Sequence, residues 1–351
     1  MPELIPLWII LGLIAIAFIV SYICFYRIFY FPQKKRDKLL SRDPYQIPPG
    51  RIYDEHREQI VKWIKDSDEL PHKKYSITSF DGLTLRGRFY EYSPDAPIEI
   101  LFHGYQGNSR RDLCGGIFRC FDLGHSAFLI DNRSAGESDG NVITFGINER
   151  RDCLDWIKFT VENINPDAKI ILTGVSMGAA TVMMAASEDL PENVVGVLAD
   201  CGYTSAKDII KLVMKDMKLP AGLLYPFAIL GAKLFGRFDL DEYSPIESMK
   251  KCKLPIMFIH GDDDRFVPHE MSVRNFEACA SERKVLVTVS KAGHGLCYPV
   301  NVTQYTDEMR DFFEPLLYPQ KKSSKDHGPL HLFHTFRYTK EDLYEALSKK
   351  I

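Results

Sequence analysis

The sequence predicts an α/β fold, in which a mostly parallel sheet is covered by helices on both faces, after one membrane-spanning helix. Short apolar runs, typical of buried parallel strands, alternate with segments of helical periodicity over residues 71–318. The N-terminus is a long uncharged apolar run. Eight strands are expected, at residues 75–80, 83–92, 98–102, 127–130, 169–173, 194–199, 256–259 and 284–289.

The apolar run covers residues 4–26, without a single charged side chain. At ~1.5 Å per residue it reaches roughly 34 Å, enough to cross a hydrocarbon core of about 30 Å. A cleaved signal peptide is the alternative, but no Lys or Arg precedes the run and no small-residue cleavage site follows it. Aromatic and then basic residues follow the run. We therefore predict that residues 1–31 form a single-pass anchor, with the rest of the chain on the cytoplasmic side.

Composition and cysteine usage narrow the function classes. The formal net charge of −3 offers no general attraction to nucleic acid, and the sequence contains no internal repeat and no Cys-x-x-Cys pair. The eight cysteines are scattered, which indicates buried free thiols in a reducing compartment more than a disulfide framework. A nucleic-acid-binding protein, a repeat array and a zinc module are therefore not expected.

Residues 32–70 are predicted to form a proline-rich linker followed by a short amphipathic helix at 54–65. Within the α/β domain, helices are expected at 147–163 and 177–187. The interval at about 203–249 is too long for a simple crossover and holds an amphipathic segment and a strongly apolar one, residues 206–215 and 219–235. We predict a helical lid over a pocket there, with ordinary core helices as the alternative.

The tail at residues 319–351 is basic, then aromatic, and ends in a segment of helical character that begins at Thr339. It contains three histidines, at 327, 331 and 334. A metal site from these histidines is not expected, because no acidic ligand pattern accompanies them. The sequence suggests no function for this tail.

A Gly-x-Ser-x-Gly sequence at residues 174–178 directly follows a predicted strand and opens a predicted helix. In this setting the serine occupies a sharp strand-to-helix turn, and the glycines avoid collisions with neighbouring backbone. The positive end of the helix dipole would favour negative charge that develops there. Ser176 is therefore the candidate nucleophile, rather than an incidental serine at a helix start.

A serine hydroxyl needs a general base, and His294 is the best candidate among the ten histidines. It lies in Ala-Gly-His-Gly at residues 292–295, a loop just after the last predicted strand. His103 and His260 also end predicted strands, but each is expected to make structural hydrogen bonds.

The base needs a carboxylate that holds its tautomer. Three aspartates follow the strand at 256–259, and we prefer Asp264, followed by Asp262. Asp200, at the end of another strand, is a further candidate. The chain order Ser176, Asp264, His294 is the one expected when a Gly-x-Ser-x-Gly serine is the nucleophile.

The oxyanion hole should consist of backbone amides. Met177, the residue after the nucleophile, is expected to supply one N–H. The other is expected from the glycine-containing loop at 103–108, with Tyr105 as the preferred donor.

Five segments together resemble the α/β-hydrolase superfamily, in its serine aminopeptidase-like or acyl-hydrolase-like group, over residues 75–317. They lie at 103–108, 131–138, 174–178, 262–268 and 292–295. Ser134 departs from the usual pattern, since glycine is common at that position of the second segment. The resemblance implies an α/β-hydrolase fold with a helical lid insertion.

The resemblance also implies a serine hydrolase that cleaves a carboxylic ester or thioester through an acyl-enzyme, without a cofactor or a metal. The anchor and the apolar lid favour a small-molecule or lipid-like acyl substrate. A peptidase or amidase of the same fold, a lyase or haloperoxidase, and a non-catalytic membrane interaction protein are the alternatives.

Overall fold

A computed structural model describes residues 4–319. Within these residues, eight strands form one sheet. The strands are β1 (Lys73–Thr78), β2 (Thr84–Tyr90), β3 (Ile98–Phe102), β4 (Ser126–Asp131), β5 (Ile170–Val175), β6 (Val194–Asp200), β7 (Ile256–Gly261) and β8 (Lys284–Val289). Their order in the sheet is β1-β2-β4-β3-β5-β6-β7-β8. β2 pairs antiparallel with β1 and β4, and all other neighbours are parallel. All eight predicted strands are confirmed, with ends that differ by at most two residues.

Helices flank the sheet and connect its strands. They are α1 (Leu4–Ile28), α2 (Gln33–Arg42), α3 (Arg51–Asp54), α4 (Arg57–Glu69), α5 (Ser109–Asp112), α6 (Cys114–Asp122), α7 (Ile147–Asn163), α8 (Met177–Ala185), α9 (Ala206–Asp216), α10 (Ala221–Gly231), α11 (Pro245–Met249), α12 (Glu270–Ala278), α13 (Cys297–Val300) and α14 (Val302–Leu317). A π-helical turn at Ala232–Gly236 continues α10.

Alternate residues of the central strands supply two cores, one on each face of the sheet. In β5, Ile170 and Leu172 belong to the cluster that holds Trp156 of α7 and several residues of α8. Ile171, between them, faces the opposite way and belongs to the cluster that contains Phe313 of α14. Because both faces are covered, these strands are mostly apolar and do not alternate regularly with polar residues.

Residues 32–70 pack on the domain; the amphipathic helix predicted at 54–65 corresponds to α4, and the part predicted to be a linker contains α2. The Arg36 guanidinium of α2 donates to the carbonyl oxygens of Ser138 and Gly140, at 2.9 and 3.3 Å. α4 packs against α6, and Trp63 of α4 stacks on Tyr298 with ring centroids 5.2 Å apart. Proline and glycine correctly mark the breaks between these helices, but several helical turns fit between the breaks.

α1 is the one helix within residues 4–319 that is long and apolar enough to cross a membrane, as judged from length and composition. A signal sequence near an N-terminus would satisfy the same criterion. Residues 7–16 are exposed, whereas Ser21, Cys24 and Phe25 are buried. The C-terminal third of α1 therefore belongs to the packed structure of the domain.

The insertion, residues 203–249, is helical as predicted and contains α9, α10, the π-helical turn and α11. α10 packs against α1 and α9. All eight cysteines are free and buried, which agrees with the prediction of buried thiols. The tail, with the predicted helix at Thr339 and the three histidines, lies outside the described residues.

Candidate active site

Ser176 lies on the turn between β5 and α8 in a conformation that side chains rarely adopt, with φ 57° and ψ −114°. The two glycines of the motif allow this turn. A Cβ on Gly174 would lie 2.1 Å from the Gly178 carbonyl oxygen, and one on Gly178 would lie 2.0 Å from that of Phe102. Any larger residue at either position would push the turn away from the sheet.

The structure brings Ser176, His294 and Asp264 into one hydrogen-bonded chain. Ser176 Oγ lies 2.9 Å from His294 Nε2, and His294 Nδ1 lies 2.7 Å from Asp264 Oδ2. Because a carboxylate can only accept, the imidazole carries its proton on Nδ1, and Nε2 accepts from the serine hydroxyl. These three residues come from the ends of β5, β8 and β7, which meet at the carboxyl edge of the sheet.

The Asp264 carboxylate is fully buried and accepts from several donors. Its Oδ1 accepts from the backbone N–H groups of Phe266 and Val267, at 2.9 and 2.8 Å. Burial alone would raise its pKa, but hydrogen bonds from His260 and His294 outweigh burial and hold the pKa of Asp264 below its ordinary range. Asp264 therefore stays ionised beside His294 at neutral pH.

The other two candidate aspartates make hydrogen bonds to other groups. Asp262 Oδ1 accepts from the Lys291 N–H at 2.6 Å. Asp200 Oδ2 accepts from the Tyr305 hydroxyl at 3.0 Å, and burial raises the pKa of Asp200. Neither carboxylate makes a hydrogen bond with His294 within residues 4–319.

His260 contacts the Asp264 carboxylate, which the sequence analysis missed. His260 Nε2 lies 3.2 Å from Asp264 Oδ2 and 2.9 Å from the Val267 carbonyl oxygen. Both atoms are acceptors, so Nε2 carries the proton and Nδ1 accepts from the Ser272 hydroxyl at 2.7 Å. His260 thus donates a second hydrogen bond to Asp264 Oδ2, the oxygen that also accepts from His294. Its position at a strand end, four residues before Asp264, was the only signal available.

The loop expected to form the oxyanion hole lies against Ser176. A Cβ on Gly104 would lie 3.5 Å from Ser176 Cβ, and Asp112 Oδ2 accepts from the Gly104 N–H at 3.2 Å. Tyr105 follows in this loop, and Met177 begins α8. Within the described chain, no hydrogen bond occupies the backbone N–H of Tyr105 or Met177. The Tyr105 hydroxyl donates to the Ile28 carbonyl oxygen at 2.7 Å, which ties this loop to the end of α1.

A cavity of about 550 Å³ opens beside Ser176 and His294. One wall comes from residues 47–63, which we call the wall segment; its lining side chains include Ile52, Ile60 and Trp63. The wall segment is held to the site by the Tyr53 hydroxyl, which donates to the His294 carbonyl oxygen at 3.0 Å.

The insertion predicted to be a lid does not border this cavity. None of the residues that line this cavity, among residues 4–319, comes from the insertion at 203–249. The insertion packs on α1 instead, and the wall segment covers the cavity.

Within residues 4–319, one cluster of side chains could in principle ligate a metal ion. It consists of Cys201, Asp264 and His294, and one donor atom from each lies within 4.8 Å of the others. Asp264 and His294 already bond to each other at 2.7 Å. These two side chains are therefore already engaged with each other.

Comparisons with known proteins agree with the fold. Residues 100–230 match a family model described as the alpha/beta hydrolase fold. The uncharacterized protein YqkD of Bacillus subtilis is 26% identical over 268 residues, which cover 73% of this chain and 87% of that protein. Protein bem46 of Schizosaccharomyces pombe is 28% identical over 232 residues, or 64% of this chain and 71% of bem46. An esterase of Pyrococcus furiosus superposes with a TM-score of 0.59 at 23% identity, over 71% of this chain and 92% of the esterase.

Proposed function

We propose that this chain, which has the α/β-hydrolase fold, is a serine hydrolase that cleaves carboxylic esters or thioesters. The observation that carries the proposal is the hydrogen-bonded chain from Asp264 through His294 to Ser176 at the mouth of a cavity. An ordered nucleophile, base and acid of this kind perform acyl transfer without an added cofactor.

In the proposed reaction, Ser176 Oγ attacks the carbonyl carbon while His294 Nε2 takes the hydroxyl proton. The N–H groups of Tyr105 and Met177 stabilise the negative charge on the former carbonyl oxygen. The intermediate collapses, the bond to the alcohol or thiol breaks, and His294 returns the proton to that leaving group. Water, deprotonated by His294, then attacks the acyl-enzyme. The bond between the acyl carbon and Ser176 Oγ breaks, His294 returns the proton to Ser176, and the acid is released. Asp264 remains ionised throughout and stabilises the imidazolium.

The size and the apolar side chains of the cavity favour a substrate with a large, lipid-like acyl group. A volume of about 550 Å³ suits a small molecule or an acyl chain. The wall segment presents Ile52, Ile60 and Trp63 to it, and Leu101 and Val175 line it from the sheet. Burial of methylene groups against these side chains would contribute about 0.8 kcal/mol each.

We also propose that α1 anchors the protein in a membrane, with the catalytic domain in the cytoplasm. The exposed apolar side chains at 7–16 and the basic residues that follow α1 support this arrangement.

The test of the hydrolase is covalent labelling with a fluorophosphonate probe, applied to membranes that contain the full chain. We expect the wild type to be labelled and Ser176→Ala to remain unlabelled. Ser41→Ala, at an exposed serine on α2, is the matched control and should be labelled as strongly as the wild type. Equal labelling of wild type and Ser176→Ala would place the nucleophile elsewhere, and absence of labelling in all three would contradict an activated serine.

A further inference from the structure

α1 is divided into a part that stands free and a part that packs on the insertion. Residues 7–16 are exposed on all sides, and the first ring contact with the insertion occurs at Phe18. Since Glu3 is charged, the apolar stretch before Phe18 begins at Leu4. At about 1.5 Å per residue, this free part reaches only roughly 21 Å.

The packed part of α1 is in close contact with α10 and the π-helical turn. Phe235 contacts three aromatic rings of α1, those of Phe18, Tyr22 and Phe25, at centroid distances of 5.0, 5.2 and 5.7 Å. A Cβ on Gly231 would lie 2.4 Å from the Ser21 carbonyl oxygen. Such a close approach of two helix backbones at a small residue is typical of helices that pack within a membrane.

The insertion also carries exposed apolar side chains. Leu223 is 64% exposed and Leu234 49%, and Leu219 and Leu230 are also exposed. We call these four leucines the leucine face. α10 contains no charged residue, and the Lys233 ammonium beside it pairs with Asp239 at 3.0 Å. A helix that faces water normally shows polar side chains on its outer side.

A hydrocarbon core is about 30 Å thick, and the free part of α1 is too short to cross it. The remaining distance of roughly 9 Å requires about six more residues, which extends the span to approximately Ile23. That stretch includes Phe18 and Tyr22, both in contact with Phe235. Where α1 crosses the core, Phe235 therefore lies at the depth of Phe18 and Tyr22, together with its chain neighbour Leu234.

We propose that the leucine face is embedded in the lipid of the membrane, where it contacts acyl chains beside α1. The insertion is then a second membrane contact of this chain, and it does not serve as a lid. This inference rests on the proposed membrane anchor. It extends that proposal, because the α/β domain then also contacts the surface of the bilayer. The hydrogen bond from Tyr105 to Ile28 holds the Tyr105 loop at the end of α1.

The test places an environment-sensitive NBD label on single added cysteines of the full chain. The eight native cysteines are buried, so an added exposed cysteine is labelled selectively. The variants are Leu223→Cys and Leu234→Cys on the leucine face, Ile14→Cys on the free part of α1, and Lys158→Cys on α7, whose side chain is 71% exposed. Each is reconstituted into phosphatidylcholine vesicles that contain phosphatidylcholine with a nitroxide on its acyl chain.

We expect NBD at positions 223, 234 and 14 to be quenched by the nitroxide lipid, and NBD at position 158 to be unaffected. If positions 223 and 234 behave like position 158 while position 14 is quenched, the anchor stands and this inference is overturned. If position 14 is not quenched either, the anchor itself fails, and the inference with it. Fluorophosphonate labelling of each variant reports folding and tests the hydrolase separately.

Discussion

At the residue scale, the choice among three aspartates depends on loop geometry. Asp262 and Asp264 are two residues apart in the same loop, so the strand pattern cannot distinguish them. The two backbone N–H groups that bond to Asp264 Oδ1 orient its Oδ2 toward His294. Asp262 instead closes a turn with Lys291.

Asp264→Asn and Asp200→Asn are predicted to differ sharply in activity. In Asp264→Asn, the introduced side-chain amide would donate to His294 Nδ1 and place the proton on Nε2, which then cannot accept from Ser176. We expect kcat to fall by about 10³–10⁴-fold. Asp200→Asn is the matched control, because Asp200 bonds to Tyr305, and its activity should change by no more than about threefold. The measurement is hydrolysis of nitrophenyl butyrate, and a comparable loss in both variants would refute the assignment of Asp264.

Asp200 gives a second prediction, on stability against pH. Burial raises the pKa of Asp200, so the folded protein keeps this proton to a higher pH than the unfolded chain does. Wild-type stability therefore contains a contribution that is lost as the pH rises from about 4 through the raised pKa. Asn does not titrate, so the melting temperature of Asp200→Asn relative to wild type should increase over that pH range. Thermal unfolding in detergent at a series of pH values measures this difference, and a decrease would mean that the folded state favours the carboxylate.

At the element scale, the strands and the turn at Ser176 were predictable because their signals are local. A buried parallel strand is mostly apolar, and the Gly-x-Ser-x-Gly sequence is typical of a strand-to-helix turn. Which element covers the cavity was not predictable. The amphipathic pattern of α4 indicates that one face is buried, but it does not identify the surface on which that face packs. Similarly, the apolar side chains at residues 219–235 are expected to be shielded from water, but the sequence does not show whether a pocket, another helix or lipid shields them.

Ile60→Trp and Leu230→Trp test which element borders the cavity. Ile60 lines it from the wall segment, whereas Leu230 lies on the insertion and does not line it. A larger side chain at position 60 fills space that a long acyl chain would occupy. We expect Ile60→Trp to lower kcat/KM for nitrophenyl decanoate by about tenfold or more, a loss of ~1.4 kcal/mol. Activity on nitrophenyl acetate should change much less.

Leu230→Trp should leave both activities near those of the wild type. If Leu230→Trp impairs the long ester and Ile60→Trp does not, the insertion, and not the wall segment, would cover the bound substrate.

At the scale of the whole molecule, α1 is both the proposed membrane anchor, in its N-terminal part, and a packed element of the α/β domain, in its C-terminal part. Its last third is part of a core cluster that includes Phe29, which is completely buried, and Tyr225 of α10. Residues after α1 join the domain directly, since Tyr30 bridges to Val142 and the Phe31 N–H donates to the Asn141 carbonyl oxygen at 2.8 Å. The anchor is therefore structurally continuous with the domain and is not attached through a flexible tether.

This continuity predicts different outcomes for two truncations. Removal of residues 1–16 deletes only the exposed stretch and keeps Phe18, Ser21 and Phe25 on the insertion. Removal of residues 1–28 exposes the partners of these side chains and deletes the carbonyl that accepts from the Tyr105 hydroxyl. Loss of a large buried aromatic side chain typically costs about 3–5 kcal/mol, a large share of the stability of a domain. We expect the shorter truncation, extracted in mild detergent, to label with fluorophosphonate as the full chain does, and the longer one to aggregate unlabelled. Full labelling of the longer truncation would show that the catalytic domain folds without α1, and that the contacts between α1 and α10 position the domain at the membrane without stabilising its active site.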